Sequence, residues 1–193
     1  MNARRVTQLV ASSIILGLAI ALLLDTRLGA DGFSTLVDGL SRQTGLSFWM
    51  PNAVVSTVFV GVAWAFSVRP GVGSVLPPVI IGFTVSALQP ILPAPESFTG
   101  RGVELAVAFG LAALGVAGYL AASFGAGPAE ALALALRPIA PFRWGYSAIQ
   151  IGCALGGWAL GANIGVATVL VMVALGPVVE VVSRTVFRTA PSA

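Results

Sequence analysis

The chain has no histidine and no lysine, a single cysteine and few charges of either sign. Without histidine it lacks the commonest general base and metal ligand. The lone Cys153 excludes an intramolecular disulfide and any cysteine metal cluster. Charged residues make up 9% of the 193 residues, against about 25% in an ordinary soluble domain. So few charges cannot cover a water-soluble globule of this length. Enzyme signatures are missing too: there is no Gly-x-Ser-x-Gly, no P-loop and no metal-spaced cluster. Gly71-x-Gly73 lacks the strand-to-helix setting and acidic partner of a dinucleotide fingerprint, and reads as a turn into a close-packed helix. The sequence therefore predicts no enzyme, no metal and no cofactor. The net charge of +3 comes from ten arginines scattered in ones and twos. That pattern suits loops beside anionic lipid and argues against nucleic-acid binding.

What the chain has is apolar length. Hydrophobic residues make up 57% and the mean hydropathy is +0.97. Six apolar stretches, 6–24, 49–68, 72–92, 103–124, 144–160 and 164–182, approach the roughly 20 residues that cross a bilayer. The first is read as a retained span, because Asp25-Thr26-Arg27-Leu28 stands where a signal peptide would have its small-residue cleavage site. Asp25, Arg27 and Asp31 are read as marking its exit into water. Residues 33–42 and 129–136 are too short to cross. The first places Phe33, Leu36, Val37 and Leu40 at helical spacing, as in an amphipathic helix lying at the surface or dipping in. Pro77-Pro78 and Gly176-Pro177 interrupt the third and sixth stretches, where prolines remove donors and kink or unwind a helix.

The chain also resembles itself. Gly71-Val72-Gly73-Ser74-Val75-Leu76 returns as Gly165-Val166-Ala167-Thr168-Val169-Leu170, and the same offset puts Phe48 on Phe142, Trp64 on Trp158, Val79 on Val173 and Gly82 on Gly176. Each half reads as span, short helix, span, tight turn, broken span. Three crossings per half turn the second copy upside down, which is the inverted-repeat plan of many transporters. The predicted fold is all-α: one integral membrane domain over 1–193 with six transmembrane helices in two inverted three-helix repeats, about 4–98 and about 99–188. Each repeat carries a short interfacial helix after its first span. Arg4, Arg5, Arg69, Arg137, Arg143, Arg184 and Arg188 fall on one side and Arg27, Arg42 and Arg101 on the other, which places both termini in the cytoplasm. Trp49 and Trp158 then fall near the outer interface, Trp64 and Trp144 near the inner one.

The segment Arg69-Pro-Gly-Val-Gly-Ser-Val-Leu76, the run Gly-Pro-Ala-Glu-Ala-Leu at 127–132, the Gly-Val-Ala-Thr-Val-Leu…Gly-Pro run at 165–177 and Ser-Arg-Gln-Thr-Gly-Leu-Ser at 41–47 resemble the YczE/YitT-type bacterial membrane proteins. The resemblance covers nearly the whole chain and rests on Gly/Pro signatures of packing and turns. It implies a multi-pass inner-membrane protein, with small-molecule transport or export suspected for the family. Two departures stand out. The family's short helices open Gly-Pro-x-acid, which Gly127-Pro128-Ala129-Glu130 keeps and Gly32-Phe33-Ser34-Thr35 does not. Tyr146 and Gln150 stand where the family often has an Arg and a Glu.

Two functions follow as expectations. The first is a small transporter or permease whose substrate passes between the halves, past Gln150, Ser56, Thr84, Glu130 and Tyr146. The broken positions Pro77, Pro78, Gly176 and Pro177 would free carbonyls there. Other deep polar groups, Asn52, Thr57, Ser86 and Ser147, read mainly as bonds between helices. Glu130 also reads simply as a carboxylate at a helix N-terminus, and Asp38–Arg42 and Glu180–Arg184 as surface pairs at helical spacing. Glu104, beside Arg101, reads as an interfacial snorkelling residue. The second function is a scaffold or accessory subunit acting through helix packing. The implied partners are lipid and an unidentified small molecule, and the Gly/Ala faces also suit a homodimer.

Overall fold

The computed structural model describes residues 3–93 and 95–187. Arg188, counted among the cytoplasmic arginines, and Ala94, in the connection between the halves, lie outside the described residues. The described residues form eight helices and no strand: α1 (Ala3–Asp25), α2 (Gly32–Thr44), α3 (Trp49–Ala65), α4 (Val72–Leu88), α5 (Phe98–Ala122), α6 (Pro128–Ala135), α7 (Phe142–Ala159) and α8 (Val166–Thr185). Three of these, α1, α5 and α8, are long and apolar enough to cross a membrane; α3 and α4 are shorter apolar helices.

Local chemistry sets the ends. Asp31 caps α2 by accepting from the Ser34 amide at 3.0 Å, and Gly45 closes that helix in the left-handed region at φ +69°. Ser97 caps α5 through the Gly100 amide at 3.0 Å. The expected loop up to Arg101 is therefore shorter, because Ser97 starts the helix one turn earlier. Pro128 opens α6 at a position where a missing N–H is harmless.

Small residues let α1 pack closely on two neighbours. A Cβ on Gly115 or Gly118 of α5 would run into Leu16 or Ser12, and one on Gly17 into Thr84 of α4. The packing keeps its pattern when the first four helices are exchanged with the last four. Helices α1 and α5 pack against each other along their length; α4 lies on α1 as α8 lies on α5; α2 lies on α7 as α6 lies on α3. Two backbone bonds obey the same exchange. The Gly73 amide donates to Phe124 O at 2.9 Å, and the Ala167 amide donates to Leu28 O at 3.1 Å. The start of each fourth helix is thus held by the loop of the other half. The α3–α4 hairpin has no equally close counterpart between α7 and α8.

Two expectations change here. Helix α2 is packed on protein along most of its length. It runs lengthwise beside α7, with Gly32 against Gln150 and Gly39 against Gly157, and Phe33 meets Phe59 of α3 edge-on at 5.6 Å. Its apolar positions pack on protein: Val37 is buried in the core, with Phe33, Leu36 and Leu40 against it. The broken spans are also not broken. Helix α4 is continuous through Pro77 and Pro78, and α8 through Gly176 and Pro177. Proline bends a helix without necessarily ending it, and the Asn52 side chain of α3 donates to Pro78 O at 2.7 Å. Gly176 and Pro177 face outward, away from the other helices. Pro78→Ala returns a backbone hydrogen bond to α4 and removes buried ring atoms. The two effects should offset to within about 1 kcal/mol, so thermal unfolding in detergent should find this variant close to wild type.

Candidate functional site at the convergence of two short helices

A group of interior polar side chains gathers where α2 and α6 begin. Gln150, on the face of α7 that meets Gly32, accepts from the Phe33 amide at 3.0 Å through Oε1. Its Nε2 donates to the Tyr146 hydroxyl, one turn back, at 2.8 Å. This buried amide therefore satisfies one of the open N–H groups at the start of α2 and fixes the tyrosine ring, which stacks on Phe142 at 5.8 Å. Tyr146 lies within electrostatic reach of Asp31, Glu130 and Tyr119. Tyr119, near the end of α5, donates to Gly125 O at 3.2 Å, and its hydroxyl faces Gly127 at the start of α6. The Glu130 carboxyl folds back to the same glycine and accepts from its own amide.

Asp31 and Glu130 thus perform one task at two places: each brings a carboxyl to the N-terminal end of a short helix. Both keep some accessible surface but are surrounded by protein. Burial raises the Asp31 carboxyl above its ordinary range, against the opposing bonds from Ser34. Burial likewise raises Glu130, and the Asp31 charge adds to it. On α3, Ser56 is 6% exposed, and its Oγ has no hydrogen-bond partner. It lies two turns before Ala63, on the face that meets Ala131 and Ala135 of α6, and it is the position that the helix exchange pairs with Gln150.

A family of unknown function, DUF6198, matches residues 3–184. The chain belongs to this family. Among relatives of this DUF6198 member, the uncharacterized membrane protein YczE of Bacillus subtilis (strain 168) is 25% identical over 170 residues, covering 86% of this chain and 79% of YczE. An uncharacterized protein of Haemophilus influenzae (strain ATCC 51907 / DSM 11121 / KW20 / Rd) is 27% identical over 168 residues, covering 86% of this chain and 77% of that one. No solved structure matches the chain. The YczE-type resemblance read from the glycine and proline runs holds, and the protein is a membrane protein of that type.

Within this DUF6198 fold, three residues singled out from the sequence come together: Gln150, Tyr146 and Glu130. Thr84 does not join them, because it packs on Gly17 of α1 and its hydroxyl donates to Ile80 O at 2.8 Å. Pro77 and Pro78 lie on α4, while Gly176 and Pro177 face outward. Two members of the site, Asp31 and Tyr119, escaped the sequence reading. Asp31 had looked like the water-side end of the first span. The acid missing at Thr35 has a substitute four positions earlier, in Asp31, the cap itself. Glu104 lies against Asp25 of α1, and Arg101 donates to Pro95 O at 3.2 Å. Two shallow apolar hollows, one walled by Ala53, Val54, Thr57 and Val58 and one running from Gly71 to Val79, lie on the outer faces of α3 and α4 rather than at this centre.

Proposed function

We propose that the protein is a small-molecule transporter of the bacterial inner membrane, with both termini in the cytoplasm. In this reading α1, α3, α4, α5, α7 and α8 cross the membrane as two inverted three-helix repeats. Helices α2 and α6 enter from opposite sides as half-helices. What carries the reading is the convergence of those two N-terminal ends on a chain of polar groups supplied by both halves: Asp31, Gln150, Tyr146, Glu130 and Tyr119. Polar groups are costly at membrane depth and tend to line a path or a site. Half-helix ends facing a midplane site between repeats are a recurrent transporter device. The exchangeable packing and the paired bonds Gly73–Phe124 and Ala167–Leu28 support two related halves, and the distribution of arginine supports the orientation. The competing reading is a scaffold acting through Gly-rich faces: Gly17, Gly115, Gly118 and Gly157 serve packing within the chain, while Gly61, Gly110, Gly152 and Gly176 have open space around them.

The test needs no knowledge of the substrate. Cys153 is free and buried, so Cys153→Ala supplies a cysteine-free background for Ser56→Cys. A transporter that opens to each side in turn should let a charged, membrane-impermeant thiol reagent reach position 56 both from outside, in cells, and from inside, in inverted vesicles. Labelling from neither side would leave the scaffold reading standing.

A further inference from the structure

The two apolar hollows on the outer faces of α3 and α4 differ in what stands at their ends. The hollow on α3 is walled by Ala53, Val54, Thr57 and Val58, and α3 carries no charged residue along its length. The hollow on α4 is walled by Gly71, Val72, Val75, Leu76 and Val79. It begins at Gly71, where the helix itself begins, and Arg69 stands two residues ahead of it. From Val72 to Val79 the helix rises about 10 Å, roughly two-thirds of one leaflet's hydrocarbon depth. Val72, Val75 and Val79 are exposed, so in a membrane this face meets lipid.

The fold brings two more arginines to the same corner. Val68 packs beside Ala63, Ala131 and Ala135, which sets the end of α3 against the end of α6. Leu136 and the Ala133 carbonyl lie next to Gly145 of α7, so α7 begins there too. Arg69, Arg137 and Arg143 are all exposed at these ends. None of them is in an ion pair: among the described residues the ion pairs are Asp38–Arg42 and Glu180–Arg184. Arg143 lies over the Trp144 ring at 5.4 Å, and Trp64 and Phe66 are exposed shortly before Arg69. Exposed tryptophans beside arginines mark the level of the lipid headgroups. The other half supplies an internal comparison. Helix α8 also presents an apolar outer face, with Val166, Val169 and Val173 exposed, but Asn163-Ile164-Gly165 stands where α4 has Arg69-Pro70-Gly71. The apolar face is duplicated and the cation at its head is not.

We infer that the outer face of α4 is a binding site for an anionic phospholipid, with an acyl chain along Gly71–Val79 and the phosphate held by the Arg69 guanidinium. Arg137 and Arg143 supply the positive field around it. A guanidinium can donate to two phosphate oxygens at once, and unpaired basic groups beside an apolar face at headgroup level attract anionic lipid. A zwitterionic phospholipid offers the same phosphate and chains but brings its own cation, which three unpaired arginines disfavour. The net charge of the headgroup therefore decides. This site lies on the outside of the protein, apart from the polar centre, and does not depend on transport.

Native mass spectrometry of the full-length protein, purified in mild detergent and stripped of lipid, tests this with phosphatidylglycerol and phosphatidylcholine of identical acyl chains. The wild type should retain phosphatidylglycerol about fivefold or more over phosphatidylcholine, the weight of one arginine near an anionic headgroup. Arg69→Gln should lose most of that preference. Val75→Trp fills the hollow from an exposed position and should lower phosphatidylglycerol retention with Arg69 still in place; should one variant aggregate, the other decides. Glycerol phosphate, which has the headgroup and no chains, should not displace the lipid. Equal retention of the two lipids by the wild type, an unchanged preference in Arg69→Gln or unchanged retention in Val75→Trp overturns the inference. So does displacement by glycerol phosphate, which would make free phosphate the ligand. A doubled mass that Val75→Trp abolishes and phosphatidylglycerol does not would overturn it too, by making a second copy of the chain the occupant. The thiol-accessibility result at position 56 is independent of all these outcomes.

Discussion

Gly32→Ala is expected to cost about 3 kcal/mol or more and to dismantle the polar centre. A Cβ at this position would fall on the carbonyl oxygen of Gln150. That oxygen is backbone, held inside α7, and cannot swing aside as the end of a long side chain can. Overpacking of this kind in a well-packed interior typically costs about 1–3 kcal/mol, and more where the backbone must move. The displacement would also act directly on the site, since lifting α2 off α7 separates the Phe33 amide from Gln150 Oε1. Gly152→Ala is the control: it lies on α7, with nothing near its added methyl. Replacing a helical glycine by alanine in open space gains up to about 1 kcal/mol. Unfolding of the two variants in mild detergent should therefore move in opposite directions. Equal stability would mean that α2 and α7 are not in contact.

Gln150→Leu is the second large effect. Leucine has a similar volume, so packing changes little, but two hydrogen bonds go. The Phe33 amide is left buried without its acceptor, and the Tyr146 hydroxyl loses its donor. Stranding a buried polar group costs about 1–3 kcal/mol. Gln150→Glu separates hydrogen bonding from charge, because a carboxyl still accepts from Phe33. Leu should lower the unfolding temperature measurably, and Glu should recover part of the loss. If Leu and Glu behave alike, the Phe33 bond does not contribute to stability.

Much of the helix pattern was legible because apolar runs are long and their ends carry Gly, Pro or Arg. The first stretch, 6–24, lies inside Ala3–Asp25, and 129–136 overlaps Pro128–Ala135. The depth of α2 was not legible, since its hydrophobic face fits lipid as well as it fits α7. Only the glycines that let α7 approach, Gly32 and Gly39, carry that information, and they mean something only once the partner is known. Gln150 stood out as a lone amide in an apolar run. Asp31 did not, because a capping acid after a span looks like any acid leaving the membrane. Thr84 was misleading for a general reason: a threonine within a helix can satisfy its hydroxyl on the carbonyl one turn back and face a neighbouring helix with its methyl.

The reciprocal bonds from Gly73 to Phe124 and from Ala167 to Leu28 bear on how the chain comes off the ribosome. When α4 first emerges, the loop that holds its beginning has not been synthesised, and α2 must wait for α7. The early helices can enter the lipid in sequence, but their final arrangement is reached only when translation is almost finished. A polypeptide truncated after the fourth helix would therefore be a substrate for membrane quality-control proteases rather than a smaller working unit.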